Sequence, residues 1–200
     1  ENGVSFALHQ KFGTTFNPNG TPVFELIHEM LVKCGSRKEV IRFLKKQKSI
    51  TTWAFYMGFA NGEVLSAEID GDQLFYHQHQ AEVGELLYFC NERENPKLIN
   101  EDIVPYSFNS QNKMRKLCFE KKQKALGIKA GKNGFTAEHV MKLMGRAWEQ
   151  EKQAPEDWIA DPLTPSTLQT TCMMPGIDEA LFLPGPGPKF FNGEVYEYKN

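Results

Sequence analysis

The polar side chains best placed to do chemistry lie at the ends of two apolar stretches. Asn91 follows the run LLYFC at 86–90, and His9 and Gln10 close the first apolar stretch of the chain. A side-chain amide at the end of a buried strand can donate hydrogen bonds to a substrate carbonyl oxygen or to the oxyanion formed from it. The pattern makes Asn91 the leading candidate donor, while ordinary strand-end polarity is the simpler account of His9 and Gln10.

Other constellations are weaker. His77 and His79 can point to one face of a strand, but no third ligand stands at useful spacing, so the sequence predicts no metal site and no cofactor. The GxSxG elbow of serine hydrolases is absent. Cys90 lies in an apolar run, whereas a nucleophilic thiol needs an accessible, thiolate-stabilising environment. The segment AGKNG at 130–134 lacks the spacing of a phosphate-binding loop.

Composition narrows the class of protein. The chain has 200 residues, 40% of them hydrophobic and 24% charged, with a net charge of −2. These values predict one globular domain over residues 1–200 and disfavour a nucleic-acid partner. No apolar run approaches the ~18 to 20 residues of a membrane span, so no membrane partner is expected. Four scattered cysteines outside any metal or disulfide pattern indicate a reducing, cytoplasmic location.

Strand and turn signals position Asn91. Two aromatic-rich runs flank Asn61-Gly62, and Asp70-Gly71 follows them. Because Asn-Gly and Asp-Gly supply the positive φ angles of tight turns, these pairs predict a hairpin meander between residues 49 and 91. The last strand of that meander is expected to be 86–90, ending at Asn91.

Helical signals surround the meander. After a strand at 3–12, apolar residues at Phe24, Ile27, Met30 and Leu31 predict one face of a helix that begins near Pro22. The sequence Ser36-Arg37-Lys38-Glu39 is typical of a capping box that starts a second helix. A further helix is expected from Ser107 or Ser110 to Gly127, another after Thr136, and short strands at 168–174, 180–183 and near the C-terminus. The fold class is therefore α+β.

The order of these motifs resembles the acyl-coenzyme A:6-aminopenicillanic acid acyltransferase family, a branch of the N-terminal-nucleophile hydrolases related to choloylglycine hydrolases. The opening ENGVSFALHQ resembles that family's NExGL turn and following strand, and residues 21–77 resemble its helices and central strands. LLYFCNE falls at its TNH motif, SFNSQNKMRKL resembles its Ser…Arg segment, and residues 166–188 resemble its last strands.

The resemblance implies a four-layer αββα sandwich and an amidohydrolase or acyltransferase acting on a small-molecule amide or acyl-coenzyme A substrate. In that family an N-terminal Cys attacks the carbonyl and its own α-amine is the general base. Asn91 matches the TNH asparagine, which stabilises the tetrahedral intermediate. Arg115 matches the arginine that orients the polar network, and His9 or Gln10 stands where relatives carry a second, substrate-facing Asn.

Two departures from the family pattern matter. Cys90-Asn91-Glu92 replaces TNH, which puts a carboxylate in place of the histidine, and the chain begins at Glu1 rather than at a nucleophile. The Cys is thus expected on an upstream segment or chain of the same precursor, so that these residues are most of the domain and inert alone. The alternative is a non-catalytic relative that serves as a small-molecule-binding or structural module.

Overall fold

The computed structural model describes residues 3–80, 86–95, 97, 106–125, 135–136, 139–140, 169–177, 179–184 and 196–199. The chain divides into two compact units, each described below by itself. The first comprises Glu1–Ala81, Asn91–Pro105 and Pro175–Ile177, and the second comprises Glu82–Cys90, Tyr106–Met174 and Asp178–Asn200. The expectation of a single domain stays a prediction.

The first unit is a four-stranded antiparallel sheet with two helices. Its strands follow the order β1-β2-β3-β4. Gly62 and Gly71, at φ angles of 82° and 63°, occupy the β2–β3 and β3–β4 turns, which confirms the two predicted hairpins. In chain order the elements are β1 (Val4–Gln10), α1 (Val23–Lys33), α2 (Arg37–Leu44), β2 (Trp53–Phe59), β3 (Val64–Asp70) and β4 (Gln73–His79).

The predicted apolar face of α1 is wrong in part. The helix buries Val23, Leu26 and Met30, whereas Phe24 is 75% and Leu31 47% exposed. Two apolar stripes run side by side along this helix, each with helical spacing, because the sequence is hydrophobic over more than one face. The sheet covers only the stripe that contains Leu26.

The predicted capping box at the start of α2 is confirmed. The Ser36 hydroxyl accepts a bond from the Glu39 backbone N–H at 3.4 Å, and the Glu39 carboxylate accepts one from the Gly35 N–H at 2.9 Å. These bonds satisfy N–H groups that a helix start leaves without intrahelical partners. The helix then packs on the sheet through Val40 and Leu44, both fully buried.

The two faces of the sheet differ in chemistry. One face packs against α1 and α2 and forms the core, with Phe55, Met57, Leu65 and Ile69 almost completely buried. Because side chains alternate along a strand, the observed register gathers the other residues on the second face. That second face carries Ser5, Ala7 and His9 of β1, Ala54, Tyr56 and Gly58 of β2, Val64, Ser66, Glu68 and Asp70 of β3, and Gln73, Phe75, His77 and His79 of β4.

The second unit contains one long helix and a smaller sheet, at positions close to those predicted. Its elements are α3 (Tyr106–Ala125), β5 (Gln169–Met174), β6 (Glu179–Pro184) and β7 (Tyr196–Lys199). The antiparallel order is β5-β6-β7, so the tail forms an edge strand as expected. Thr136 accepts a bond from the His139 N–H at 3.2 Å, which confirms the predicted cap, and most of the helix expected after it lies outside the described residues.

The prediction of a strand at 86–90 is wrong. These residues form no ladder with another strand in the described chain. Instead, Tyr88 stacks on Phe119 of α3 with ring centroids 4.7 Å apart. A short apolar run can be buried by ring packing as well as by sheet pairing, and its composition does not distinguish the two.

Taken together, the described elements are mixed helices and antiparallel strands, which agrees with an α+β class. Where the structure describes a helix, none has both the length and the apolar character that spanning a membrane would require.

Candidate functional site

A cluster of charged side chains is buried at one end of the second sheet face. It consists of Lys11, Glu68, Asp70, Arg93 and Glu94, and is called the buried charge cluster below. Lys11, Glu68 and Arg93 are only 2%, 1% and 5% exposed. Charged side chains are rarely buried this far unless they are paired, so the partners of each one decide what the cluster does.

Arg93 binds two carboxylates of the same strand. Its Nε lies 2.8 Å from Glu68 Oε1, an ionic contact whose angle is not that of a well-aligned hydrogen bond. Its Nη2 donates to Asp70 Oδ2, and Thr52 Oγ1 donates to the other Asp70 oxygen at 2.8 Å. Because Glu68 and Asp70 alternate along β3, both carboxylates face the guanidinium. The forked side chain of arginine suits such a pair.

Glu94 forms a second attachment to the sheet. Its backbone N–H donates to Glu68 Oε2 at 2.6 Å, and its Oε1 accepts from the Tyr56 hydroxyl at 2.8 Å. Lys11 Nζ donates to Tyr56 at 2.9 Å and lies 3.9 Å from the Glu94 carboxylate. Lys11 also donates to the backbone carbonyl of Glu92. Backbone or side-chain atoms of residues 92, 93 and 94 are therefore all held on the sheet.

The two β3 carboxylates respond differently to burial. Burial raises the pKa of Glu68 above its ordinary value, against the opposing effects of the Glu94 N–H, Arg93 and Lys11. Burial acts in the same direction on Asp70, but hydrogen bonds from Thr15, Thr52 and Arg93 outweigh it and lower the pKa of that carboxyl. Glu68 is thus the carboxyl of the pair that accepts a proton more readily.

A glycine, Gly13, lies close against the cluster. A Cβ on Gly13 would stand 2.3 Å from Arg93 Nη1 and 2.6 Å from Thr52 Oγ1. Both distances are far inside van der Waals contact, so a larger residue there would displace the guanidinium. Gly13 is needed for close approach, one of the usual reasons for glycine in a loop.

Asn91 lies beside the end of β1, next to this cluster. Its Nδ2 donates to the backbone carbonyl of Gln10 at 3.2 Å. An amide nitrogen carries two N–H groups, and the bond to Gln10 uses one of them. Asn91 is carried by a segment without regular structure, not by the end of the predicted strand.

His9 and Gln10 point to opposite faces of β1, as neighbouring strand residues do. The His9 ring packs edge-on against Tyr56 with centroids 5.1 Å apart. The Gln10 side chain is exposed, and its backbone carbonyl makes the contact with Asn91. Substrate contact by either residue stays a prediction.

Arg115 lies on α3 in the second unit and is half-buried. On the same helix, Asn112 is 1% exposed and its amide nitrogen has no hydrogen-bond acceptor in the part of the chain that the structure describes. The role that the family resemblance implies for Arg115 stays a prediction.

Sequence reasoning missed the buried charge cluster. One signal was present in the strand VLSAEID, where Glu68 and Asp70 interrupt an otherwise apolar strand at a spacing of two residues. Arg93 and Glu94 gave no comparable signal, because a polar loop segment predicts solvent exposure. Their burial follows from tertiary pairing with β3.

No metal site emerges from the described residues, where no group of three or more His, Cys, Asp or Glu side chains could hold an ion. His77 and His79 lie with ring centroids 4.4 Å apart, and His79 Nε2 is 3.0 Å from Ser66 Oγ. The histidine pair is therefore engaged with its neighbours on β3 and β4.

Comparison with known proteins gave no match, either to a protein-family model or to a curated protein. The chemistry of the site is therefore inferred from its own side chains. Asn91 offers an amide donor already bound to a carbonyl oxygen, on a segment fastened to the sheet by paired charges.

Proposed function

We propose that the protein is an amidohydrolase or acyltransferase that acts on a linear amide or an acyl thioester through an N-terminal cysteine upstream of these residues. One observation carries the proposal: the Asn91 amide donates to a carbonyl oxygen, that of Gln10, at 3.2 Å. A donor held in this way suits an oxyanion hole, where fixed N–H groups stabilise charge as it develops on a carbonyl oxygen.

In the proposed reaction, the N-terminal cysteine supplies both the nucleophile and the general base. The cysteine sulfur attacks the substrate carbonyl carbon and its proton passes to the α-amine. Asn91 donates to the resulting oxyanion, which collapses to an acyl-enzyme as the protonated amine or thiol leaves. Water or an acceptor amine then attacks the acyl group and regenerates the thiol.

The remaining residues take supporting roles in this proposal. Arg115 orients polar groups of the site, and His9 or Gln10 contacts the substrate. The fold that goes with the proposal is a four-layer αββα sandwich. The α1 and α2 layer on one face of the first sheet and the presence of a second antiparallel sheet support that architecture.

A non-catalytic relative is the second candidate. Glu92 stands where the family has a histidine, and its backbone carbonyl accepts a bond from Lys11. The side chains of the buried charge cluster pair with one another. Such pairing is also compatible with a purely structural or ligand-binding role.

The decisive experiment uses the full-length protein with a panel of chromogenic amides and acyl-coenzyme A thioesters. Turnover, together with a mass increase equal to the acyl group on an N-terminal cysteine peptide, is the expected result. Absence of both turnover and adduct across the panel, with the protein folded, would reject the enzyme. Saturable binding of a panel member without turnover would then support the binding module.

A further inference from the structure

Asn91 belongs to a segment that lacks regular secondary structure. Residues 91–95 form neither helix nor strand, so no backbone ladder sets the position of the Asn91 amide. An oxyanion donor must nevertheless be held to within about 0.5 Å of its working position. Side-chain contacts of the segment therefore have to fix the position of the Asn91 amide.

Arg93 is the most deeply anchored side chain of this segment. Its side chain is 1% exposed, and it contacts the carboxylates of Glu68 and Asp70 near the end of β3. Gly13 lies so close to the guanidinium that a Cβ on it would stand 2.3 Å from Arg93 Nη1. A planar cation that contacts two carboxylates at once is restricted to few orientations in which both contacts are made.

Asn91 and Glu92, the two residues before Arg93, each form a hydrogen bond with a residue at the end of β1. Asn91 donates to the carbonyl of Gln10, while Lys11 donates to the carbonyl of Glu92. Two consecutive residues of the β1 end thus bind two consecutive residues of the segment. Arg93 follows directly and attaches the same segment to β3, so a displacement of its guanidinium would be transmitted to Asn91 through Glu92, the one residue between them.

We infer that Arg93 is a positioning residue for Asn91, holding its amide at the end of β1 through the paired carboxylates Glu68 and Asp70. The catalytic consequence rests on the proposed function, whereas the positioning itself does not. Arg93 touches no reacting atom in this account and acts only through the placement of Asn91.

Gly13→Ala provides the sharpest test because it pushes the guanidinium while leaving every charge in place. Gly176→Ala is the matched control, since among the described residues its new Cβ would meet Ala60 O alone, at an ordinary 3.6 Å. Arg93→Lys, which keeps the charge but loses the fork, is the second variant. All are made in the full-length protein.

The first readout is structural and independent of turnover. Nuclear magnetic resonance should show the side-chain amide signals of Asn91 shifted and exchange-broadened in Gly13→Ala and Arg93→Lys, and unchanged in Gly176→Ala. The backbone N–H of Glu94, which binds Glu68, should be protected in the wild type and lose protection by more than about tenfold in both variants. Unchanged Asn91 signals and unchanged Glu94 protection in Gly13→Ala would overturn the inference, as would an unprotected Glu94 N–H in the wild type.

The second readout separates positioning from general structural support. With a substrate identified, kcat of Gly13→Ala should fall by up to about 10² while KM stays near the wild-type value, because a displaced donor is missed mainly in the transition state. A protein that shows the resonance changes but has no acyl-transfer activity would reject the proposed function and leave the positioning intact. Full kcat alongside shifted Asn91 signals would reject the catalytic consequence.

Discussion

Arg93 Nε and Glu68 Oε1 lie 2.8 Å apart, and both side chains are 1% exposed. Removing either partner takes a counter-ion from a buried charge, which costs far more than losing a contact on the surface. The segment 91–95 is thus held on β3 by a buried ion pair whose loss would destabilise the fold. This relationship leads to the first prediction.

Glu68→Ala should lower the free energy of unfolding by about 3 to 5 kcal/mol, because the buried Arg93 guanidinium keeps only Asp70 as counter-ion and the Glu94 N–H loses its acceptor. The measurement is urea denaturation followed by circular dichroism. Arg37→Ala is the control, since it breaks the surface pair with Glu63 at 2.6 Å and should cost at most about 1 kcal/mol. Equal costs for the two variants would contradict the distinction between buried and surface pairs.

The two leucines of α1 give a matched test of the core. Leu26 is completely buried and Leu31 is 47% exposed. Leu26→Ala should cost about 2 to 5 kcal/mol through lost transfer energy and a cavity, whereas Leu31→Ala should stay within about 1 kcal/mol. Thermal or urea unfolding checks both. A larger loss at Leu31 would show that its stripe is covered in solution.

Asp70 should make stability depend on pH in the acid range. Its folded-state pKa lies below the ordinary value of 3.8, so its contribution is present above that value and is lost as pH falls through the folded-state pKa. Asp70→Asn should flatten this part of the acid-unfolding curve. Asp72→Asn, at an exposed aspartate two positions further on, is the control for removing one carboxylate from the same turn.

Glu68 should act with the opposite sign. Burial raises its folded-state pKa above the ordinary value of 4.5, so the native state binds this proton more tightly than the unfolded chain does. Its contribution is fully present below 4.5 and is lost as pH rises through the folded-state pKa. Glu68→Gln should remove that decline when unfolding is followed by urea titration at several pH values. A decline that persists in Glu68→Gln would assign it to another group.

Local sequence signals predicted most of the first unit. Gly62 and Gly71 mark turns that require positive φ, and the Ser36 box starts α2, because these features depend on a few adjacent residues. The buried stripe of α1 was harder, since hydrophobic periodicity alone does not say which of two apolar faces, that of Leu26 or that of Leu31, meets the sheet.

The site itself depended on long-range pairing. The sequence makes Asn91 a candidate donor, but its contact with the end of β1 appears only in the structure, and the expectation of a strand at 86–90 is wrong. Arg93 could not be identified as buried, because its counter-ions Glu68 and Asp70 lie 25 and 23 positions away in the chain and become neighbours only after folding. Ionic partners at that separation leave no periodic signature in the sequence.

The most direct measurement for the proposed function is the kcat of Asn91→Ala in the full-length protein, on whichever amide or thioester it turns over. Loss of one oxyanion donor predicts a fall of about 10² to 10³, with the fold intact by circular dichroism. Asn95→Ala is the control, because among the described residues the one bond of that side chain is the bond it accepts from the Lys97 N–H, at 3.1 Å. A large fall for Asn91→Ala with near-wild-type activity for Asn95→Ala is the expected result. Wild-type kcat in Asn91→Ala would remove Asn91 from the site and contradict the account.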